Sequence, residues 1–303
     1  MHLPVLKTYK LFINGAFPRT ESGRTMPVHD GAGRLAAHLC RASRKDLRDA
    51  VEAARNASRW RETTAYNRGQ VLYRMAEMLE GRSHEFAEAI EIGRARSRSA
   101  RRPARGVRTR DVTLSAAAEI AAAVERLVSF AGGTDKYQQV LGCRNPVAGP
   151  YHVFSLPEPA GVVAVVSPDE PSLIALVSMI AAPLCAGNTV VALASERNPV
   201  PAALFAEVLA TSDLPPGAVN ILTGFRAELL EHVAGHREIR AISACGMTPD
   251  EERLLQLGAA ENLKRVHVRA SMPPTAWLDD VEQSPERIVP FVETKTIWHP
   301  SAG

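Results

Sequence analysis

The sequence predicts an α/β fold: a doubly wound, Rossmann-type parallel sheet preceded by helices. Three observations carry this. Five near-continuous apolar runs, GVVAVVS (161–167), TVVALAS (189–195), AVNILTG (218–224), IRAISACG (239–246) and LKRVHVRA (263–270), read as strands buried on both faces. Helical stretches at 171–186, 199–209, 226–233 and 250–257 alternate with them, which makes βαβ units. Crossovers between parallel strands are right-handed almost without exception, so the units wind onto both faces of one sheet.

The elements before the sheet follow in order. Residues 8–14 alternate as a short strand, ended by the turn signal Asn14-Gly15. Ser43 is placed to cap a helix whose apolar face carries Leu47, Ala50, Val51 and Ala54. A second amphipathic helix sets Val71, Met75, Met78 and Leu79 on one face, where methionine fills core gaps. Residues 94–110 hold eight arginines (Arg94, Arg96, Arg98, Arg101, Arg102, Arg105, Arg108 and Arg110) with few apolar residues between them. Such a stretch has no face to bury and is expected to be a mobile loop. It contains no aromatic to stack on bases, so nucleic acid is not an expected partner. Helix resumes over 114–131, and 151–156 reads as a strand.

Composition bounds the chemistry. The 303 residues suffice for about two domains, and 46% apolar with 23% charged is ordinary globular usage. A net charge of +3 argues neither for nor against an acidic partner. Four cysteines without CxxC spacing fit a reducing, cytoplasmic setting rather than zinc or a disulfide framework. Each reads as a small buried hydrophobe; only Cys245, at a strand end near a helix start, stands where a thiol pKa is lowered. The nine histidines are dispersed and no HExxH occurs, so no metal is expected. The start MHLPVLKTYKLFING lacks a secretory pattern, and the apolar run 173–186 is too short to span a bilayer.

In doubly wound sheets, ligands sit at the carboxyl ends of the strands. Here those ends make Ser167, Pro168, Ser195, Glu196, Gly224 and Gly246 the candidate cofactor-binding residues. The two glycines either let a diphosphate approach or simply make tight strand-to-helix turns. Neither GxGxxG nor GxxxxGK[ST] is present. Glu196 is either a ribose ligand or an ordinary loop carboxylate. Asp169 and Glu170 are either an acid/base pair or part of a helix start between Pro168 and Pro171. Asp250, Glu251 and Glu252 suit the dipole of their helix but oppose an incoming phosphate.

The motifs CAGNTVV, LPPGAVNILTG and ENLKRV, at this spacing, resemble the cofactor-binding domain of aldehyde dehydrogenases. KLFINGAF, DLRDAVEAARNASRW and SFAGGTDKY resemble the same family's N-terminal part, and VETKTIWHP its C-terminal strand. The resemblance covers nearly the whole chain apart from the Arg-rich stretch. It implies four parts. Residues 1–145 are the N-terminal helical part of the cofactor-binding domain. Residues 146–160 with 288–303 form a β-flap for assembly. Residues 161–272 are the Rossmann-type core, and 273–287 are a short linker replacing the catalytic domain.

The departures from the family run one way. Thiol-based aldehyde oxidation needs a cysteine to form a thiohemiacetal, from which hydride passes to nicotinamide. The resemblance gives Cys245 the place of a threonine, and no cysteine follows Cys245. The family's oxyanion-stabilising Asn corresponds to Glu170, where a carboxylate repels a developing oxyanion. Its ribose-binding Lys corresponds to Leu193, although its Glu survives as Glu196. Its Phe-Thr-Gly-Ser segment becomes Ala244-Cys245-Gly246-Met247, and the next Gly becomes Glu251. Its general-base Glu corresponds to Arg269.

The pattern most resembles the second, catalytic-cysteine-free unit of family-16 aldehyde dehydrogenases. The resemblance therefore implies a pseudoenzyme with no catalytic residues, binding NAD(P) weakly or not at all. It implies a homo-oligomer, or a hetero-complex with a full-length aldehyde dehydrogenase through the flap. Tyr151, Phe154, Phe291, Ile297 and Trp298 are then either apolar anchors or intrachain packing. The rival expectations are an NAD(P)-dependent oxidoreductase acting on aldehydes and a NAD(P)-binding sensor module.

Overall fold

A computed structural model describes residues 6–30, 32–100 and 114–301, with the side chains of 94–100 outside the description. The chain opens with β1 (Thr8–Tyr9), β2 (Thr25–His29) and β3 (Leu35–Cys40), a small sheet in the order β1-β3-β2. Asn14 and Gly15 both take positive φ, as the turn signal predicts. The strand before them is shorter than expected, but Phe12 still bridges Ile221 and so fastens this sheet to the main one.

Six helices follow: α1 (Arg44–Asn56), α2 (Ser58–Glu62), α3 (Ala65–Gly81), α4 (Ser83–Ala100), α5 (Ala116–Gly133) and α6 (Tyr137–Leu141). Ser43 caps α1 in a reciprocal box with Asp46, which also accepts from Thr20 Oγ1 at 2.6 Å. On α3, Met75 and Leu79 are fully buried while Val71 and Met78 are half-buried beside them. The backbone of 94–100 is helical, continuing α4, which corrects the expected loop over that part. Arginine is a good helix former and extends a helix already nucleated by Phe86, Ala89 and Ile90 in the core. The expected loop's remainder lies outside the described residues.

Next come β4 (Cys143–Asn145), β5 (Tyr151–Pro159), β6 (Val162–Val166), α7 (Ile174–Cys185), β7 (Thr189–Leu193), α8 (Val200–Ala210), β8 (Val219–Leu222), α9 (Arg226–Gly235), β9 (Ile239–Cys245), α10 (Pro249–Ala260) and β10 (Arg265–Arg269). A string of 3-10 turns then leads from Pro274 to Phe291 and into β11 (Val292–Pro300). The main sheet is wholly parallel, in the order β10-β9-β6-β7-β8. Alternation along β6 sends Val163 and Val165 into the core under α7 and α8, and Val162, Ala164 and Val166 into the core under α1 and α9. That is the doubly wound arrangement the apolar runs predict.

α7 ends inside the protein, where its last carbonyls need partners. Trp60 Nε1 donates to Leu184 O at 3.1 Å, Arg68 Nε to Cys185 O at 3.3 Å, and Tyr137 Oη to Ala186 O at 3.3 Å. At the other end, buried Glu119 accepts from Leu173 N at 2.8 Å. Four helices of the N-terminal part, α2, α3, α5 and α6, thereby fix the central helix. Among the described residues, no helix is long and apolar enough to cross a membrane.

Candidate functional site

The loops after β6, β7 and β8 converge at the carboxyl end of the sheet, and Asp169 is their meeting point. Its carboxylate accepts from the backbone N–H of Glu196 at 3.1 Å and of Arg197 at 3.4 Å. Ser195 Oγ donates to its backbone carbonyl at 3.0 Å. The Arg226 guanidinium reaches Asp169 Oδ1 at 3.1 Å and Ser167 O at 2.8 Å. Glu196 in turn accepts from the backbone N–H of Arg226, the first residue of α9. Ser167 is fully buried beneath this network, and its hydroxyl turns to Pro168 O.

A cation at a helix N-terminus is unfavourable unless it is paired. Arg226 opening α9 is therefore a signal in the sequence that a carboxylate must stand close. Glu170 pairs with Arg197 at 3.7 Å rather than with Asp169. Asp169 and Glu170 thus act as two separate acceptors, and α7 begins only at Ile174.

The two glycines meet protein. A Cβ on Gly224 would stand 3.2 Å from Ala42 N, so its smallness admits the neighbouring chain. Gly246 has φ +70° and abuts Pro168, while its N–H donates to Arg269 O. At α10, Thr248 Oγ1 accepts from Glu251 N and Glu251 Oε2 accepts from Thr248 N. A reciprocal box of this kind spends the N–H groups of Thr248 and Glu251 within the chain.

The position that the resemblance equates with a general base is occupied by a structural arginine. Arg269 donates to Glu282 Oε1 at 2.5 Å and lies 4.6 Å over the Trp277 ring. Arg287 donates to the same oxygen at 2.7 Å. Arg126 donates to Trp277 O at 2.9 Å, and burial pulls its guanidinium down to about 10. Trp277 and Glu282 lie in the stretch read as a linker. No sequence pattern marked either of them, since their partners come from β10 and α5.

Cys245 is the small buried residue expected of it, but its position does not lower the thiol pKa. Its Sγ faces Ala270 O at 3.6 Å, and burial pushes its thiol up rather than down. Cys143, expected to be buried, is exposed on β4. Leu193 is a buried strand residue with no polar function to offer. Among the described residues, no cluster of His, Cys, Asp and Glu is arranged to hold a metal.

β4, β5 and β11 form an antiparallel sheet in the order β11-β5-β4. β11 pairs with β5 along all of its nine residues, from Val292↔Pro159 to Pro300↔Tyr151. Of the five expected anchors, Phe291 is buried in the core of this chain, and Phe154 and Ile297 are half-buried. Tyr151 and Trp298 are exposed and pack edge to face, with ring centroids 5.8 Å apart. Elsewhere, a groove of about 800 Å³ lies between α1, α9 and α10. Its arginines (Arg44, Arg48, Arg237, Arg253) alternate with the carboxylates Glu231, Asp250 and Glu261, and none of the six candidate residues lines it.

The aldehyde dehydrogenase family profile matches residues 18–271. An aldehyde dehydrogenase of Arabidopsis thaliana, family 2 member B4, mitochondrial, is 31% identical over 263 residues, covering 85% of this chain and 45% of its own length. Retinal dehydrogenase 2 of Gallus gallus is 32% identical over 268 residues, covering 86% of this chain and 48% of its own. The NAD+ complex of a Bacillus cereus aldehyde dehydrogenase superposes with a TM-score of 0.76 at 25% identity, over 87% of this chain and 51% of that one. The chain spans about half the length of the curated relatives it matches.

Proposed function

This chain belongs to the aldehyde dehydrogenase family, and from that premise we propose that it is a non-catalytic member, a scaffold subunit that assembles with an active aldehyde dehydrogenase. The observation that carries the reading is the Arg269–Glu282 pair. A general base must be free to take a proton, whereas Arg269 is a cation clamped to a buried carboxylate. The loss is internal to the fold. Residues 270–291 run directly from β10 to β11, where the resemblance calls for a catalytic domain, and Trp277 and Glu282 seal that short path onto the core.

What the chain keeps whole is the β4–β5–β11 sheet. β11 is an edge strand with no strand paired along its outer side among the described residues. Adding a strand from another subunit satisfies such an edge. The exposed Tyr151–Trp298 pair at its end supplies aromatic area of the kind that anchors interfaces. The resemblance to the cysteine-free unit of family-16 enzymes, which accompanies an active unit, implies the same role.

The test has two arms. The purified chain is given a panel of aldehydes with NAD or NADP, and no reduced cofactor is expected. It is also co-expressed with a complete aldehyde dehydrogenase and passed over gel filtration, where one shared peak is expected. Turnover that Cys245→Ala abolishes would instead favour an active oxidoreductase.

A further inference from the structure

The residues at the carboxyl end of this sheet do not fit a dinucleotide, because the groups that would receive one are already engaged with each other. We propose that Asp169, Glu196 and Arg226 form a built-in ligand that closes the crevice over β6, β7 and β8. The proposal goes beyond the scaffold reading, since a subunit that only assembles is still free to bind a cofactor.

Sheets of this type receive a diphosphate through free N–H groups at strand-to-helix turns. Here the N–H groups of Glu196 and Arg197 point at Asp169, and the first N–H of α9 points at Glu196. At α10, the Thr248–Glu251 box takes the N–H groups of Thr248 and Glu251. An entering phosphate would have to displace carboxylates from these donors and then lie beside them, which like charge opposes.

The Arg226 side chain completes the closure. It is only 9% exposed and joins Ser167 O on the β6 loop to Asp169, while Asp169 holds the β7 loop through Ser195, Glu196 and Arg197. One guanidinium and two carboxylates thus tie together three loops. A ligand that binds only the folded state raises its stability by RT ln(1 + L/Kd), where L is its free concentration. Carried in the chain, the same contacts act at every concentration, so the loops stay ordered without a cofactor.

Thermal unfolding and calorimetric titration of the full chain with NAD and NADP test this. For the wild type, we expect no heat of binding and no shift in melting temperature at millimolar nucleotide. Arg226→Ala should melt several degrees lower and bind at least one nucleotide with tenfold or greater gain over the wild-type limit. Should that variant fail to fold, Arg226→Lys replaces it, keeping the charge but losing the fork that bridges two acceptors. Micromolar binding by the wild type overturns the proposal. So does a folded variant that melts with the wild type and takes up no more nucleotide. Assembly with an aldehyde dehydrogenase is read separately by gel filtration, so failure of the scaffold reading leaves this result independent.

Discussion

Arg269, the last residue of β10, holds Glu282 across 2.5 Å, with the carboxylate side chain 2% exposed and the guanidinium 11% exposed. The pair fastens the path from the parallel sheet to β11, and Arg287 adds a second cation to the same oxygen. A buried pair of this kind does more to fix one arrangement than to raise stability in net terms, because both groups lose their hydration.

Removing one partner is a different matter, since the other charge is left buried. Glu282→Ala should destabilise the chain by about 3 kcal/mol, the lower end of the range for broken buried pairs, because Arg287 is partly hydrated. Glu282→Gln, which keeps an acceptor, should lose less. Urea unfolding followed by tryptophan fluorescence reads both, since Trp277 sits under Arg269.

The helix caps give a second check on the site's frame. Thr248→Ala should cost about 1 kcal/mol by uncovering the first turn of α10. Asp46→Ala should cost more than Ser43→Ala, because Asp46 also accepts from Thr20 Oγ1 and Ser43 N. The same unfolding curves measure all three.

Thiol reactivity separates the cysteines. Cys143 is exposed, whereas burial pushes Cys185 up to about 12 and raises Cys245. A thiol reagent at neutral pH should label one cysteine rapidly in the native chain, and Cys143→Ser should abolish that fast phase. Rapid labelling of Cys245 would restore it as a nucleophile.

Acid should weaken the fold through His236 and His267, both of which burial holds below the usual histidine range. The unfolded chain takes up these protons first, so stability is intact above about 6.5 and declines as pH falls through that window toward the folded values. Melting temperatures between pH 7 and 5 should fall, and less steeply in His267→Gln.

The parallel sheet was legible because β6, β7 and β8 are buried on both faces and must be apolar throughout. β2 was not, since Pro27 and the exposed Thr25 sit on an edge where no continuous apolar run is needed. β4, only three residues long, carries no pattern at all. At the site, sequence located the loops but not their chemistry. The sequence offers Asp169 either as half of an acid/base pair or as part of a helix start, yet it serves donors from two other loops, and that convergence exists only in three dimensions. Arg226 and Glu282 escaped for the same reason: each is an ordinary polar residue until its partner arrives from a distant element.

The most direct test of the scaffold reading is the molar mass of the assembly. Gel filtration with light scattering on this chain co-expressed with a full-length aldehyde dehydrogenase of the same organism should give one mixed species. The double variant Tyr151→Ala/Trp298→Ala should separate it into its parts without lowering either melting temperature. Two independent peaks for the wild-type pair, with this chain monomeric, would contradict the account.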